Sequence, residues 1–289
     1  MFDTHCHLNF SKLSKNTGLI IENAKKAGVT HIVVPGTDIV SSVKAIEIAQ
    51  KHDNVYCAVG IHPHHVFSYF QELSLTPMTE EIKKDLKMKV VNDIAEIAKL
   101  AEKFSPVIAI GEIGIDKHQY LETKYENYEV TKDLTDLQRY IFTLQIDLAI
   151  NLKKSLIIHN REAAPELLQI MREKYTTDLR GRTVFHCCEP NLEILEFAVA
   201  NDIYIGVDGD VTYSRQKQEF VKKVPLDHLV IETDAPFLLP EPLLSEKKYP
   251  NEPKNIVFIK DAVAKIKGVS PEETEKILFA NSKRLFNLV

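Results

Sequence analysis

A chain of 289 residues with 44% hydrophobic and 27% charged side chains can bury a sizeable core, which excludes a disordered or fibrous protein. A net charge of -5, from 36 basic and 41 acidic residues, excludes a global attraction to nucleic acid or anionic membrane, so such a partner must be held locally. Only seven of the basic residues are Arg, so each Arg placed near a cleft is informative about anion recognition.

Cys6, Cys57, Cys187 and Cys188 show neither C-x-x-C spacing nor a secreted framework and read as reduced thiols. With no basic leader followed by an apolar run, and no stretch of about 18 apolar residues, the expectation is a soluble cytoplasmic protein that does not enter a membrane.

In chain order, short β-branched runs alternate with segments of helical period. The strand "MFDTHCHL" precedes the helix "GLIIENAKKAG", and "VTHIVVPG" precedes "DIVSSVKAIEIAQKH". "NVYCAVGIHP" leads, after a long connector, to "VNDIAEIAKLAEKF"; "PVIAIGEIGID" leads, after another, to "LTDLQRYIFTLQIDLAINLKK". "SLIIHNRE", "TVFHCC", "IYIGVDG" and "HLVIETDAP" follow, separated by the helices "AAPELLQIMREKY", "NLEILEFAVAND" and "SRQKQEFVKKV". Two helices close the chain, the last opened by Ser270, Pro271 and Glu273 in a capping-box pattern.

Eight strands alternating with helices imply right-handed βαβ units and a single-domain (β/α)8 TIM barrel over residues 1–289, rather than an open doubly wound sheet. No G-x-G-x-x-G, Walker-type or G-x-S-x-G motif supports a nucleotide-cofactor, P-loop or serine-hydrolase site. The connectors Val66 to Met88 and Lys117 to Lys132 follow strand ends and are expected to shape a cleft or lid.

Polar residues interrupt the apolar runs at strand ends: His5 and His7, His62 and His64, Glu112 and Asp116, His159 and Arg161, His186, Asp208 and Asp210, and Asp234. In a barrel these ends meet at one mouth. Residues i and i+2 of a strand share a face, so His5 and His7 aim together while Cys6 faces away. Glu112 and Asp234 can neutralise a divalent charge, and six donors exceed the roughly four that one zinc takes, so two ions are the better count. His31, His52, His118 and His228 lie away from strand ends and read as structural or exposed; Glu232 has an exposed reading, Asp234 a bland one as the cap of the turn before Pro236, and Asp208 and Asp210 fit turn chemistry as well as a site.

The ordered motifs "DTHCHLNF", "VGIHPHHV", "AIGEIGID", "IIHNREA", "VFHC" and "ETDAPFLLP" followed by "NEP" resemble the TatD family of metal-dependent hydrolases and deoxyribonucleases, over essentially the whole chain. The resemblance implies metal ligands at His5, His7, His159, His186 and Asp234, with Glu112 as the bridging carboxylate. It also implies phosphodiester hydrolysis of DNA, as an exonuclease, with two divalent ions (Zn, Mn or Mg). Asp234 and Glu112 are the expected catalytic carboxylates, Asp234 doubling as proton acceptor, and His62, His64 and Arg161 are expected to position phosphate oxygens in a monomeric enzyme. The chain departs from the family pattern at Cys188, Glu189 and Pro190 after "FHC", and at Asp208 where the family has serine; with Asp210 this places three acidic groups at the mouth. Extra carboxylates repel phosphate, which keeps open a hydrolase of another ester, amide or lactone, and, in a different class, a barrel that binds metal without catalysis.

Overall fold

In the computed structural model, which describes residues 1–73 and 80–288, eight strands run parallel in one sheet in chain order. They are β1 (Phe2–Asp3), β2 (His31–Pro35), β3 (Val55–Val59), β4 (Val107–Asp116), β5 (Ser155–Arg161), β6 (Thr183–Phe185), β7 (Tyr204–Val207) and β8 (Leu229–Ile231). The helices are α1 (Ser11–Ser14), α2 (Thr17–Lys26), α3 (Ile39–Ala49), α4 (Phe67–Leu73), α5 (Glu80–Lys103), α6 (Lys132–Leu152), α7 (Ala164–Lys174), α8 (Leu192–Ala200), α9 (Arg215–Lys223), α10 (Ile256–Lys267) and α11 (Pro271–Leu285).

The seam between the last strand and the first is closed beyond their ends. Thr4 N–H donates to Ile231 O at 3.2 Å, Asp234 N–H to His5 O at 3.0 Å, and His7 N–H to Ala235 O at 2.8 Å. The expected (β/α)8 barrel is the observed fold. Strands of such a barrel are covered on both faces, which is why they read as apolar runs rather than alternating ones.

One residue from each strand fills the interior: Phe2, Val33, Ala58, Ala109, Ile157, Val184, Tyr204 and Val230, with Leu285 and Phe286 from the end of α11 packed against them. That filled layer makes the barrel a core rather than a pore. Inward-facing polar side chains nearer the strand C-termini therefore collect above it, at the mouth. Ser270 accepts Glu273 N–H at 3.2 Å and Pro271 occupies the first turn of α11, as its sequence signature indicates.

The stretch Val66 to Met88, expected to shape a cleft or lid, is largely helical. It holds α4 and the start of α5, apart from residues 74–79, which lie outside the described residues. Leu86, Val90, Ile97 and Ala101 are buried at helical spacing, but the lysine-rich polar face hides that period. Lys117 to Lys132 does run without regular structure as far as the start of α6, and it is fastened to the turn after β3: His64 Nε2 meets Thr123 Oγ1 at 2.8 Å and His65 Nδ1 meets Tyr125 Oη at 2.6 Å. No helix among the described residues is long and apolar enough to cross a membrane.

Candidate metal centre

β1 ends at Asp3, so His5 and His7 lie just past it, held by the seam bonds described above. Their Nε2 atoms are 3.1 Å apart, as the i, i+2 spacing requires, while Cys6 is fully buried in the packing between strands and helices. Asp234 reaches the same point from the segment after β8, where its φ of 47° falls in the left-handed region that Asp tolerates better than most residues. Glu112 is not at a strand end but inside β4, where the pairing with β5 shifts register between Ile110 and Ile113 and turns the side chain to the mouth.

Glu112 faces two clusters of donors with its two oxygens. Oε2 is 3.3 Å from His5 Nε2 and 3.5 Å from His7 Nε2, and Asp234 Oδ1 is 3.7 and 3.4 Å from the same two nitrogens. Oε1 is 3.0 Å from His159 Nδ1, 3.2 Å from His62 Nε2 and 3.5 Å from His186 Nε2. Burial opposes its ionisation, but the surrounding imidazoles hold Glu112 well below the usual carboxylate range. Burial and the neighbouring His186 push His5 down.

This donor set fits a divalent cation. His5 and His7 point nitrogen at nitrogen, their Nδ1 atoms are buried without a hydrogen-bond partner, and carboxylate oxygens converge on the same space from Glu112 and Asp234. Imidazole and carboxylate are the ligands Zn, Mn and their neighbours take.

Behind the centre stand carboxylates that orient it. Glu232, expected to be exposed, is fully buried, which corrects that reading. It accepts from His186 Nδ1 at 3.0 Å, Cys187 N–H at 2.5 Å and Thr4 Oγ1 at 3.2 Å. It fits because residue 206 is Gly: a Cβ there would stand 2.5 Å from Glu232 Oε1. Asp116 Oδ2 is 3.1 Å from His159 Nε2 and accepts from Tyr120 Oη at 2.7 Å. Burial works against charging these two imidazoles, yet Asp116 and Glu112 raise His159 to about 10, and Glu232 and Glu112 raise His186 to about 9. Asp3 braces the seam, accepting Thr233 Oγ1 at 2.6 Å, Thr233 N–H at 3.0 Å and His5 N–H at 3.3 Å.

The residues expected to hold phosphate separate. His62 joins the centre, whereas His64 is turned to the 117–131 loop, its Nε2 on Thr123 and its ring against Tyr120 and Tyr128. Arg161 stands at the rim, bonding Tyr120 Oη at 3.1 Å with its guanidinium over that ring.

Two of the three acidic departures, Asp208 and Asp210, are compensated within the fold by Lys217. Asp208 is fully buried, accepting from Lys217 Nζ at 3.2 Å, Cys187 Sγ at 2.9 Å and Asp210 N–H at 2.9 Å. Lys217, only 2% exposed, also lies 3.4 Å from Asp210, whose carboxyl is pushed up to about 8 by burial and by Asp208. Glu189 accepts Glu162 N–H at 3.0 Å.

A closed parallel barrel gathering histidines and carboxylates at the C-terminal ends of its strands defines the class of metal-dependent hydrolase barrels. Residues 2–287 match the TatD related DNase family, and the chain belongs to it. The metal-dependent hydrolase YabD of Bacillus subtilis is 32% identical over all of this chain and 99% of its own. A 3'-5' ssDNA/RNA exonuclease TatD of Erwinia billingiae is 30% identical over 100% of this chain and 99% of that protein. Among solved structures, the TatD homologue YjjV of Escherichia coli K12 shares the fold with a TM-score of 0.79 at 24% identity, covering 100% of this chain and 98% of that one.

Proposed function

We propose that the protein is a metal-dependent nuclease that hydrolyses phosphodiester bonds of DNA, trimming strands as an exonuclease. The observation that carries this reading is the split environment of Glu112, whose two oxygens face separate sets of imidazoles as a carboxylate shared by two ions does. His5, His7 and Asp234 would hold one ion, and His159 and His186 the other, with His62 beside it. The chemistry that divalent ions held there would supply is polarisation of a phosphoryl oxygen and a lowered pKa of bound water, toward about 7.

The chain's own groups do the rest. Asp234, the most exposed of the converging carboxylates at 14%, accepts the proton of the attacking water. Arg161, held by the Tyr120 ring and hydroxyl, presents its guanidinium to phosphate oxygens. Glu232 and Asp116 fix the imidazole orientations. Neutralisation of Asp208 by buried Lys217 removes the main electrostatic objection to an anionic substrate.

One chain supplies every group named, so we take the barrel to act as a monomer. Four free cysteines favour the cytoplasm. The test is a panel of single-stranded DNA, RNA and small esters and lactones given to chelated and metal-reloaded protein. Metal-dependent cleavage of DNA is expected; turnover of a small ester alone would move the assignment to the other hydrolase reading. Glu112→Ala or Asp234→Ala is expected to abolish cleavage while the fold survives.

A further inference from the structure

Among the described residues, the large aromatic side chains that remain exposed are Tyr213, Phe237 and Tyr249, at 43%, 43% and 61%. The other large exposed apolar side chains are aliphatic and sit on helices, apart from Leu121 in the loop before α6. All three aromatics are on the segments that follow β7 and β8, the second of which carries Asp234, and Phe237 lies 6.3 Å from the His7 ring. Single exposed apolar residues need no explanation, but aromatics confined to those segments do.

These segments are fixed. Buried Asn251 donates through its side-chain amide to Phe237 O at 2.8 Å and Thr233 O at 3.0 Å, and Glu241 N–H donates to Thr212 Oγ1 at 2.8 Å, tying the two segments together. Phe237 continues inward to the metal centre through rings: it meets Phe10 edge-on at 6.2 Å, and Phe10 stacks on His7 at 4.2 Å. Lys12 Nζ stands 5.7 Å from the Phe237 ring centre, so a cation flanks the aromatic surface.

We infer that Phe237 and Tyr249, with Tyr213 beside them, form a stacking platform for the nucleobases of a single strand, with Lys12 taking a backbone phosphate. The inference rests on the nuclease reading and extends it by naming what holds the bases. Rigidly mounted aromatics beside a cation are what sequence-tolerant single-strand binding needs: every base offers a face, and a duplex hides those faces inside its own stack. Rings this exposed gain little from the barrel and much from a base laid over them.

The test compares a fluorescein-labelled thymidine strand with an abasic strand of equal length, by anisotropy in chelator and by cleavage in manganese. The wild type is expected to prefer the base-bearing strand by about tenfold or more, the scale of one stacked base. Phe237→Ala and Tyr249→Ala should each remove most of that preference and leave abasic binding within about twofold, whereas Phe237→Trp keeps it. Tyr249, being largely solvent-exposed, guards against an effect of misfolding. Equal wild-type binding of the two strands, or a preference retained in both alanine variants, overturns the platform. Absence of any metal-dependent cleavage overturns the nuclease reading instead, and the anisotropy comparison still decides the platform.

Discussion

Replacing Glu232 by Gln removes a charge and almost no volume. Glu232 Oε1 accepts His186 Nδ1–H and Cys187 N–H at 3.0 and 2.5 Å, and Oε2 accepts the Thr4 hydroxyl at 3.2 Å. A Gln keeps its carbonyl oxygen on the two N–H donors and turns its amide toward Thr4, whose hydroxyl already has Ile231 O as an alternative acceptor at 3.1 Å. Every hydrogen bond therefore survives, and what goes is the carboxylate that keeps His186 basic against its burial. Loss of such an outer partner costs about 10–100-fold in metal affinity, which is about 1.4–2.7 kcal/mol. The assay is competition for zinc or manganese against a chromophoric chelator, run beside thermal melting of the metal-free protein. Weakened binding with a near-unchanged melt is expected; affinity within about twofold of wild type would refute the idea that Glu232 tunes His186.

Lys217→Met leaves buried Asp208 and partly buried Asp210 without their shared cation, and urea unfolding should register a loss of about 3–5 kcal/mol. Adding Asp208→Asn to that variant should recover at least half of the loss, and failure to recover would mean the lysine acts through packing alone. His64→Ala should change kcat/KM by less than about fivefold, because its ring serves the 117–131 loop, while His62→Ala should cost about a hundredfold or more in the same steady-state assay. In chelator, His159 at about 10 and His186 at about 9 lie above the ordinary histidine value of 6.5. Their contribution is complete below that value and is lost as pH rises through 9 to 10, so urea midpoints should fall between pH 7 and 10. A midpoint that rises over this interval would contradict the placement of those protons.

The barrel was legible because parallel strands buried on both faces leave unbroken apolar runs, and the mouth because histidines are conspicuous where such runs stop. His5 and His7 needed only the two-residue period of a strand. The sequence puts Glu112 at a strand end although β4 continues four residues further, since a register shift inside a strand leaves no mark in composition. The burial of Glu232 is not legible in the sequence because its room comes from Gly206 on a neighbouring strand, a pairing that only the register between β7 and β8 reveals. Lys217 carries no mark of its burial in the sequence, so Asp208 and Asp210 show no partner there: the lysine is nine residues from Asp208, and its burial is set by packing of α9 on the barrel. The first turns of α5 were hidden by lysines on its solvent face.

A centre shared by Glu112 that acts on nucleic acid needs both its ions and that carboxylate. Its most direct test is a manganese titration of metal-free protein followed by the rate of single-stranded DNA cleavage. No cleavage before metal, a plateau reached only near two equivalents per chain, and a flat trace for Glu112→Ala are the expected results. Full activity without metal or at one equivalent, or cleavage that survives Glu112→Ala, would contradict it.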